Sequence, residues 1–560
     1  MKPPRAMRGG VRVMGAETAT VARFAQRPRR AIMAGGRDRE GWMRRILCAA
    51  VAAIALVTGG ASAQTLTLGT KLELNTLDPH FFNGFPQASS HSQIFDALTW
   101  QNDRQEIEPA LAESWRLIDD LTWEFTLRRG VVFHDGSPFT ADDVIATYAR
   151  LPNVPNSPAL FTVFTRAIAA IDRIDDHTIR IRTSTPNPLL PLDLSRVFII
   201  RAADAGQSTS EFNAGKVNGT GPYRHVEWVN ADRLVLQRFE RHWRGPAAWE
   251  RVTERVITRD PSRVAALLAG EVDAIDLVPV GDKARIRQDP RFALSSGPAA
   301  VVHYIALDSA REQSPHVGAK DGQPPLARNP LMDARVRRAL SLAIDRTAIC
   351  ERLMEGSCTP ASQMLPPSFP GTSQRLQPDP LDLNRARALL AEAGVPNGFR
   401  LALHTTTDRY PKDSQIAQAI GQMWTRLGLQ VSVEGVPGQV FFGAATRQEF
   451  SAFIAQYGTI EASEGPRAVL HTNDAQRGLG AANRVRYSNP RVDALIVDAL
   501  GEMDPEKRIA KVAAAIEAAM EDQALIPVFH PTWDYASRRT LTITPRPERR
   551  FNALMIRPAG

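Results

Sequence analysis

The order of strand-like and helix-like segments in the second half of the chain most constrains its fold. Arg400–His404 has the character of a strand, and a helix-like segment follows it and ends at Gly428. The apolar positions of that segment recur at helical spacing: Ile416, Ile420, Met423, Trp424 and Leu427. Leu429–Val436 and Phe450–Tyr457 are two further predicted strands. Strands that alternate with helices form βαβ units, which predict an α/β fold with a largely parallel sheet.

A second informative segment, Leu331–Ile349, precedes these units and is predicted to be one amphipathic helix. Its apolar residues fall on one helical face: Val336, Ala339, Leu340, Ala343 and Ile344. Asp333 is the predicted N-cap, where its negative charge also suits the helix dipole. Arg335, Arg337 and Arg338 are expected to lie largely off the buried face.

The sequence of this segment, VRRALSLAIDRTAI, resembles that of the helix that begins the second lobe in extracellular solute-binding proteins of family 5. This is the dipeptide, oligopeptide and nickel class, whose members feed ABC importers. Further matches follow in the family's order from Leu77 to about Val528. They include LDPH at Leu77, FHDGSPFTADDV at Phe133, GTGPY at Gly219 and GEVD at Gly270.

The resemblance implies a two-lobed periplasmic-binding-protein fold of the class II type, with an extra subdomain in lobe I. It places lobe I at residues 64–305, with residues 526–560 returning to it, and lobe II at residues 306–525. Such proteins close by hinge motion around a ligand held between the lobes. The implied partners are a small-molecule or peptide ligand and the permease subunits of an inner-membrane ABC transporter, and the protein is expected to be a monomer.

The N-terminal 63 residues have the pattern of an extension and a cleavable signal peptide. Met43-Arg44-Arg45 precedes the apolar run Ile46–Val57, and Ala61-Ser62-Ala63 is an A-x-A ending. The run is shorter than the roughly 20 residues that a membrane helix needs. Cys48 lies inside the run, which disfavours a lipoprotein anchor. We expect cleavage after Ala63 and a periplasmic protein, with Met43 as an alternative start.

The basic charge of the chain belongs to this segment. The whole chain carries +8, whereas residues 1–63 contain 12 Lys and Arg against 3 Asp and Glu. Subtracting the resulting +9 from +8 leaves −1 for residues 64–560. The charge therefore gives no support for a nucleic-acid partner.

Two cysteines, Cys350 and Cys358, remain after processing. A structural metal site normally needs four ligands, so an isolated pair in an oxidising compartment favours a disulfide. Two buried thiols are the alternative.

The rival functional class is a periplasmic hydrolase or metalloenzyme. The 11 histidines are scattered, and the sequence contains neither H-E-x-x-H nor G-x-S-x-G. His134-Asp135 is a strand end followed by a turn and requires no catalytic role. The sequence therefore predicts a binding protein, with no enzyme activity, cofactor or metal site expected. A nickel or haem carrier is a second alternative that the family permits.

The ligand is the least constrained feature. Peptide-binding members of the family carry a Trp followed three residues later by an Asp that holds the peptide ammonium group. By this resemblance Tyr457 stands at the Trp position and Ile460 at the Asp position, with Glu461 and Glu464 nearby. Ile460 cannot pair with an ammonium group, so we expect binding without that pair and weak binding of unmodified dipeptides.

Aromatic side chains are further candidates for the ligand site. Phe441, Phe442, Trp533 and Tyr535 could supply apolar or stacking walls, although aromatic residues are usually part of a core. A peptide is the first candidate ligand, with an opine, an oligosaccharide or another small solute as the alternative.

The signal-peptide pattern makes a direct prediction. We expect N-terminal sequencing of the protein from the periplasmic fraction to begin at Gln64. A periplasmic protein whose sequence begins upstream of Met43 would contradict this prediction.

Overall fold

The computed structural model describes residues 64–158, 160–367 and 369–559. The predicted signal peptide, residues 1–63, lies outside the described residues. The helices are α1 Phe85–Ile94, α2 Ala141–Arg150, α3 Thr162–Thr165, α4 Leu190–Leu194, α5 Thr209–Asn213, α6 Asp260–Ala269, α7 Lys283–Gln288, α8 Ala334–Leu342, α9 Arg346–Ala348, α10 Leu383–Glu392, α11 Asp413–Thr425, α12 Gly438–Thr446, α13 Pro490–Gly501 and α14 Pro505–Glu521. None of these helices combines the length and apolar character needed to cross a membrane.

The strands are β1 Thr65–Thr70, β2 Thr99–Gln101, β3 Ile107–Pro109, β4 Ala112–Asp119, β5 Thr122–Leu127, β6 Ile168–Asp175, β7 Thr178–Thr183, β8 Tyr223–Val229, β9 Arg233–Arg238, β10 Arg251–Val256, β11 Ala274–Ile275, β12 Phe292–Pro298, β13 Val301–Leu307, β14 Val317–Gly318, β15 Cys358–Pro360, β16 Arg400–Thr406, β17 Gln430–Val436, β18 Ala452–Gly458, β19 Ile526–Arg538, β20 Leu541–Ile543 and β21 Ile556–Pro558.

A mixed sheet of 13 strands joins two lobes. Its main path runs β14-β16-β18-β13-β19-β11-β1-β10-β9-β8, with β12 and β15 also paired to β19 and β17 to β16. We call β1 and β8–β12 with their helices the first lobe, and β13–β18 with theirs the second lobe. The prediction of a largely parallel sheet is wrong, because hairpins such as β8–β9 and the long strand β19 pair antiparallel.

Two adjacent strands cross between the lobes. β19 pairs with β13 near its start, where Ile305 faces Ile526, and with β12 near its end, where Phe292 faces Arg538. β12 continues into β13 through Ala299 and Ala300, and the Ala299 N–H donates to the Pro531 carbonyl at 2.9 Å. The crossing therefore consists of two hydrogen-bonded strands.

The first lobe carries a separate antiparallel sheet, in the order β4-β5-β7-β6. Burial alternates along β5, because Trp123, Phe125 and Leu127 are buried while the residues between them are partly exposed. α2 begins with a capping box, in which the Thr140 N–H donates to the Asp143 carboxylate at 2.8 Å. This sheet is the extra subdomain of lobe I.

The segment Leu331–Ile349 is helical but is not one helix. Asp333 caps α8 by accepting from the Arg335 N–H at 2.8 Å, and the five predicted apolar positions are all buried. α8 ends at Leu342, and a separate turn, α9, begins at Arg346.

Arg337 was expected off the buried face, and this expectation is wrong. Its side chain is 3 % exposed, because the guanidinium donates to the carbonyls of Leu331, Met332 and Gln523. Five N–H donors allow one arginine to satisfy several carbonyl groups that would otherwise be buried without partners.

The predicted βαβ unit is confirmed. β16 and β17 are parallel neighbours connected by α11, whose residues Ile416, Ile420 and Trp424 are fully buried. The predicted strand Phe450–Tyr457 is shifted by one or two residues, to β18.

Cys350 and Cys358, which are eight positions apart in the sequence, form a disulfide. Cys350 lies in the π-helical turn Ile349–Leu353, and Cys358 is the first residue of β15. β15 in turn pairs with β19, where Cys358 faces Pro531. The bond therefore ties the end of the helical segment to a strand at the crossing.

Replacing both cysteines by alanine should lower the free energy of unfolding by about 2 kcal/mol, because the bond restricts the unfolded chain over a short loop. Urea unfolding of the double variant and of the reduced wild-type protein should give matching losses. An unchanged midpoint in both samples would contradict the prediction.

Candidate functional site

A cavity of about 890 Å³ opens beside the crossing strands. Its wall comes from the start of the first lobe, from the ends of β13, β16 and β18, from the middle of β19 and from the C-terminal segment near Arg549. Both lobes contribute side chains, so a change in the angle between them would change the shape of the cavity.

Two of the seven candidate ligand-site residues, Glu464 and Trp533, line this cavity. The Trp533 indole N–H donates to the Pro547 carbonyl at 2.8 Å, which fixes the ring at the wall.

The aromatic candidates Tyr457, Phe441, Phe442 and Tyr535 do not line this cavity. Tyr457 is half-buried against the second-lobe core, because its β18 neighbours Gln456 and Gly458 take the side of the strand that faces the cavity. Burial, with a smaller effect of the negative charge on Glu464, raises the pKa of Tyr457 to about 12.

Phe441 and Tyr535 are core residues. Phe441 is fully buried and packs against Phe450 with 5.2 Å between ring centroids. Tyr535 is also fully buried and stacks on Phe551 at 5.6 Å.

The chain leaves β18 at Gly458, so Ile460 lies in a loop. Its N–H donates to the Glu464 carboxylate at 2.8 Å, and its carbonyl accepts from the Gln101 amide at 2.9 Å. Glu464 therefore reaches the cavity beside the position where the family's aspartate was expected. Burial raises the pKa of Glu464, and the charge of Glu461 adds to the effect.

The Glu461 side chain does not line the first cavity. Its carboxylate accepts from the N–H and the hydroxyl of Ser463, both at 2.7 Å, and it lines a second cavity of about 540 Å³. That cavity lies between the four-stranded subdomain and the second lobe, and its wall is rich in apolar side chains, among them Trp115, Trp123, Phe369 and Met503.

Most charged groups around the first cavity are already paired. The Lys71 and Asp260 side chains are 2.9 Å apart, and those of Arg546 and Glu548 are 2.6 Å apart. By contrast, neither Arg409 nor Arg549 has a carboxylate within 4.0 Å among the described residues. One arginine from each lobe thus lines the cavity without a carboxylate partner among the described residues; the Arg409 Nε–H donates to the Tyr410 hydroxyl at 3.3 Å, and its guanidinium lies 4.9 Å from the centroid of the Phe442 ring.

The backbone holds Arg549 in an unusual conformation. Its φ is +60°, in the left-handed region that non-glycine residues rarely adopt. The neighbouring Glu548 and Arg550 are buried, whereas Arg549 is half-buried and its guanidinium lies 5.4 Å from the centroid of the Trp533 ring. Strain of this kind is typical of functional sites.

His303 is a polar group of the cavity that sequence reasoning missed. The ring stacks on Phe529 at 4.5 Å, and its Nδ1 lies 2.7 Å from the Gln456 amide nitrogen. Burial lowers the pKa of His303 to about 3, so the ring is neutral at physiological pH. His303 lies within the largely apolar run Val301–Leu307, which is almost entirely buried, but nothing in the sequence indicates its neighbours.

A buried ion pair anchors the crossing strands at the cavity wall. The Lys283 ammonium lies 3.0 Å from the Asp534 carboxylate and donates to the Ser357 hydroxyl at 2.7 Å. Lys283 belongs to α7 of the first lobe, Ser357 precedes β15 of the second lobe, and Asp534 is on β19. The two charged side chains are 1 % and 4 % exposed, so each depends on the other for neutralisation.

Comparison with known proteins identifies relatives along most of the chain. The model of the bacterial extracellular solute-binding proteins, family 5, middle region, matches residues 106–476. Haem-binding protein A of Haemophilus influenzae is 29 % identical over 79 % of this chain and 82 % of its own length. The periplasmic oligopeptide-binding protein OppA of Salmonella typhimurium is 26 % identical, over 88 % and 92 %.

The fold also matches solved structures. HbpA2 from Haemophilus parasuis superposes with a TM-score of 0.76 at 23 % identity, covering 88 % of this chain and all of that one. This likeness extends across both lobes and the subdomain.

Replacing Lys283 with Met should lower the free energy of unfolding by about 3 kcal/mol, because Asp534 is left charged and buried. The double variant Lys283→Met/Asp534→Asn should recover much of this loss. The matched control is Arg447→Met, which breaks an exposed pair with Glu449 and should leave the free energy of unfolding nearly unchanged. Urea unfolding measures all three, and a Lys283→Met loss no larger than the control would contradict the prediction.

Proposed function

The chain belongs to the family 5 bacterial extracellular solute-binding proteins, and on that premise we propose that it captures a small carboxylate-bearing solute, first of all a short peptide, between its lobes. It delivers this ligand to the permease subunits of an ABC importer from the periplasm, as a monomer and without catalysing a reaction. We keep residues 64–305 with 526–560 as lobe I and residues 306–525 as lobe II.

The observation that carries the proposal is that Arg409 and Arg549 line one cavity and that neither has a carboxylate partner among the described residues. A guanidinium binds a carboxylate through two parallel hydrogen bonds, which also orient the ligand. Because the two arginines come from different lobes, one ligand with two acceptor groups would hold the lobes together. Closure around the ligand follows from this arrangement.

For the ammonium group of a peptide we do not expect a matching ion pair. Ile460 supplies only backbone groups, and both of these are already bonded to Glu464 and Gln101. The Glu464 carboxylate has one oxygen engaged by the Ile460 N–H, and burial disfavours its charged form. We therefore keep the hypothesis that binding does not depend on an ammonium–carboxylate pair.

An opine is the second candidate, since it also carries several carboxylates. An oligosaccharide has no anionic group for the two arginines, and a haem or nickel complex would have to present its own carboxylates to them. The experiment described next includes opines and oligosaccharides for comparison.

Calorimetry on ligand-stripped protein tests the proposal. The panel compares di- and tripeptides, including glutathione with its two carboxylates, with N-acetylated and C-amidated forms, opines and oligosaccharides. We expect acetylation to change Kd less than about threefold, and C-amidation to weaken binding about tenfold or more, because it removes a charge-assisted hydrogen bond. Arg549→Gln and Arg409→Gln should each weaken binding by a similar factor, whereas the exposed control Arg447→Gln should not.

Two results would contradict this reading. Tight binding of plain peptides that is lost on acetylation, and weakened by Glu464→Gln or Glu461→Gln, would show that a glutamate holds the ammonium group. Equal binding by the wild-type protein and by Arg549→Gln would show that the arginines do not select the ligand.

A further inference from the structure

Three metal-ligating side chains meet on the second lobe, away from the ligand cavity. His404 is on β16, Glu434 is opposite it on β17, and His316 lies just before β14. The nearest ligand atoms of all three lie within 4.8 Å of one another. None of the three lines the cavity of about 890 Å³.

The site is built on fixed elements. The buried His404 ring stacks on Phe450, with 4.2 Å between centroids and 21° between planes. His404 Nε2 lies 3.2 Å from the Glu434 carboxylate, whose other oxygen accepts from the Ser432 hydroxyl at 3.3 Å. The His316 ring lies edge-on to His404 at 4.7 Å, and the His316 carbonyl accepts from the Ala402 N–H at 3.1 Å.

No cationic side chain competes for this carboxylate. Among the described residues, His404 is the sole ion-pair partner of Glu434, and neither Lys nor Arg lies within 4.0 Å of it. The cluster therefore offers two imidazole rings and one carboxylate. This is the donor set of a transition-metal site rather than of a calcium or magnesium site.

We propose that His316, His404 and Glu434 bind a divalent transition-metal ion of the zinc type. Tetrahedral coordination at about 2.0–2.1 Å places neighbouring ligand atoms about 3.4 Å apart, which the His404–Glu434 pair already satisfies. The ligand atom of the half-buried His316 lies within 4.8 Å of the other two, so its side chain has to move closer to them to become the third ligand. Three protein ligands leave the fourth position to water.

The position of the ion suggests what it does. β16 ends at Thr406, and the loop after it carries Asp408 and Arg409 to the ligand cavity; β17 ends at Val436, two residues before Gly438. The Gly438 N–H donates to the Asp408 carboxylate at 2.8 Å, so the two strand ends are already linked there. A metal bound upstream joins the same two strands, and it stabilises the loop that carries Arg409.

Zinc titration by calorimetry tests the site, on full-length mature protein without an affinity tag and after chelator treatment. We expect one high-affinity Zn²⁺ per chain and an increase in Tm on binding. Glu434→Gln and His316→Asn should each weaken binding at least tenfold. His404 is buried, so its substitution also removes packing; the two more exposed variants therefore decide the outcome.

The matched control is His177→Asn, which removes a histidine from the turn between β6 and β7 and should leave zinc binding unchanged. X-ray absorption of the zinc-loaded protein should show two imidazole ligands among light-atom donors. Zinc binding that is equal in wild type and Glu434→Gln, or that is lost equally in His177→Asn, would overturn the assignment. So would the lack of a stoichiometric site at micromolar zinc.

Discussion

The antiparallel pairing of β19 with both lobes is the constraint on which the rest of the structure depends. One strand of 13 residues is hydrogen-bonded to β13 at one end and to β12 at the other. The Lys283–Asp534 pair fixes the middle of this crossing and also bonds to Ser357. Because the strands are continuous across the boundary, the lobes can rotate about them but cannot separate.

The ligand cavity follows from the crossing. Trp533 and Asp534 reach its wall from β19, His303 from β13 and Gln456 from the adjacent β18. These residues lie on or beside the strands about which the lobes can rotate. Arg409 and Arg549, by contrast, come from segments outside those strands. The arrangement separates a fixed wall from two charged groups on different lobes, which is suited to a protein that closes on its ligand.

Position 460 shows how a backbone change redirects side chains. A strand that continued through Ile460 would have placed Ile460 and Glu461 on opposite faces. The strand instead ends at Gly458, and the following loop directs Glu464 into the cavity and Glu461 away from it. The same loop bonds to Gln101 of the first lobe, so it contacts both sides of the cleft.

The sequence by itself determined the elements and their order. The period of apolar residues predicted the buried face of α8 and the β16–α11–β17 unit, because burial of one face depends on local spacing alone. It failed at Arg337, whose burial depends on carbonyl groups more than 180 residues away as well as nearby ones. Only the tertiary structure decided which distant residues meet: Arg409 with Arg549 at the cavity, and His316 with His404 and Glu434 on the second lobe. Such groups lie on separate elements, and their contacts depend on strand register and loop path, which spacing along the chain does not encode.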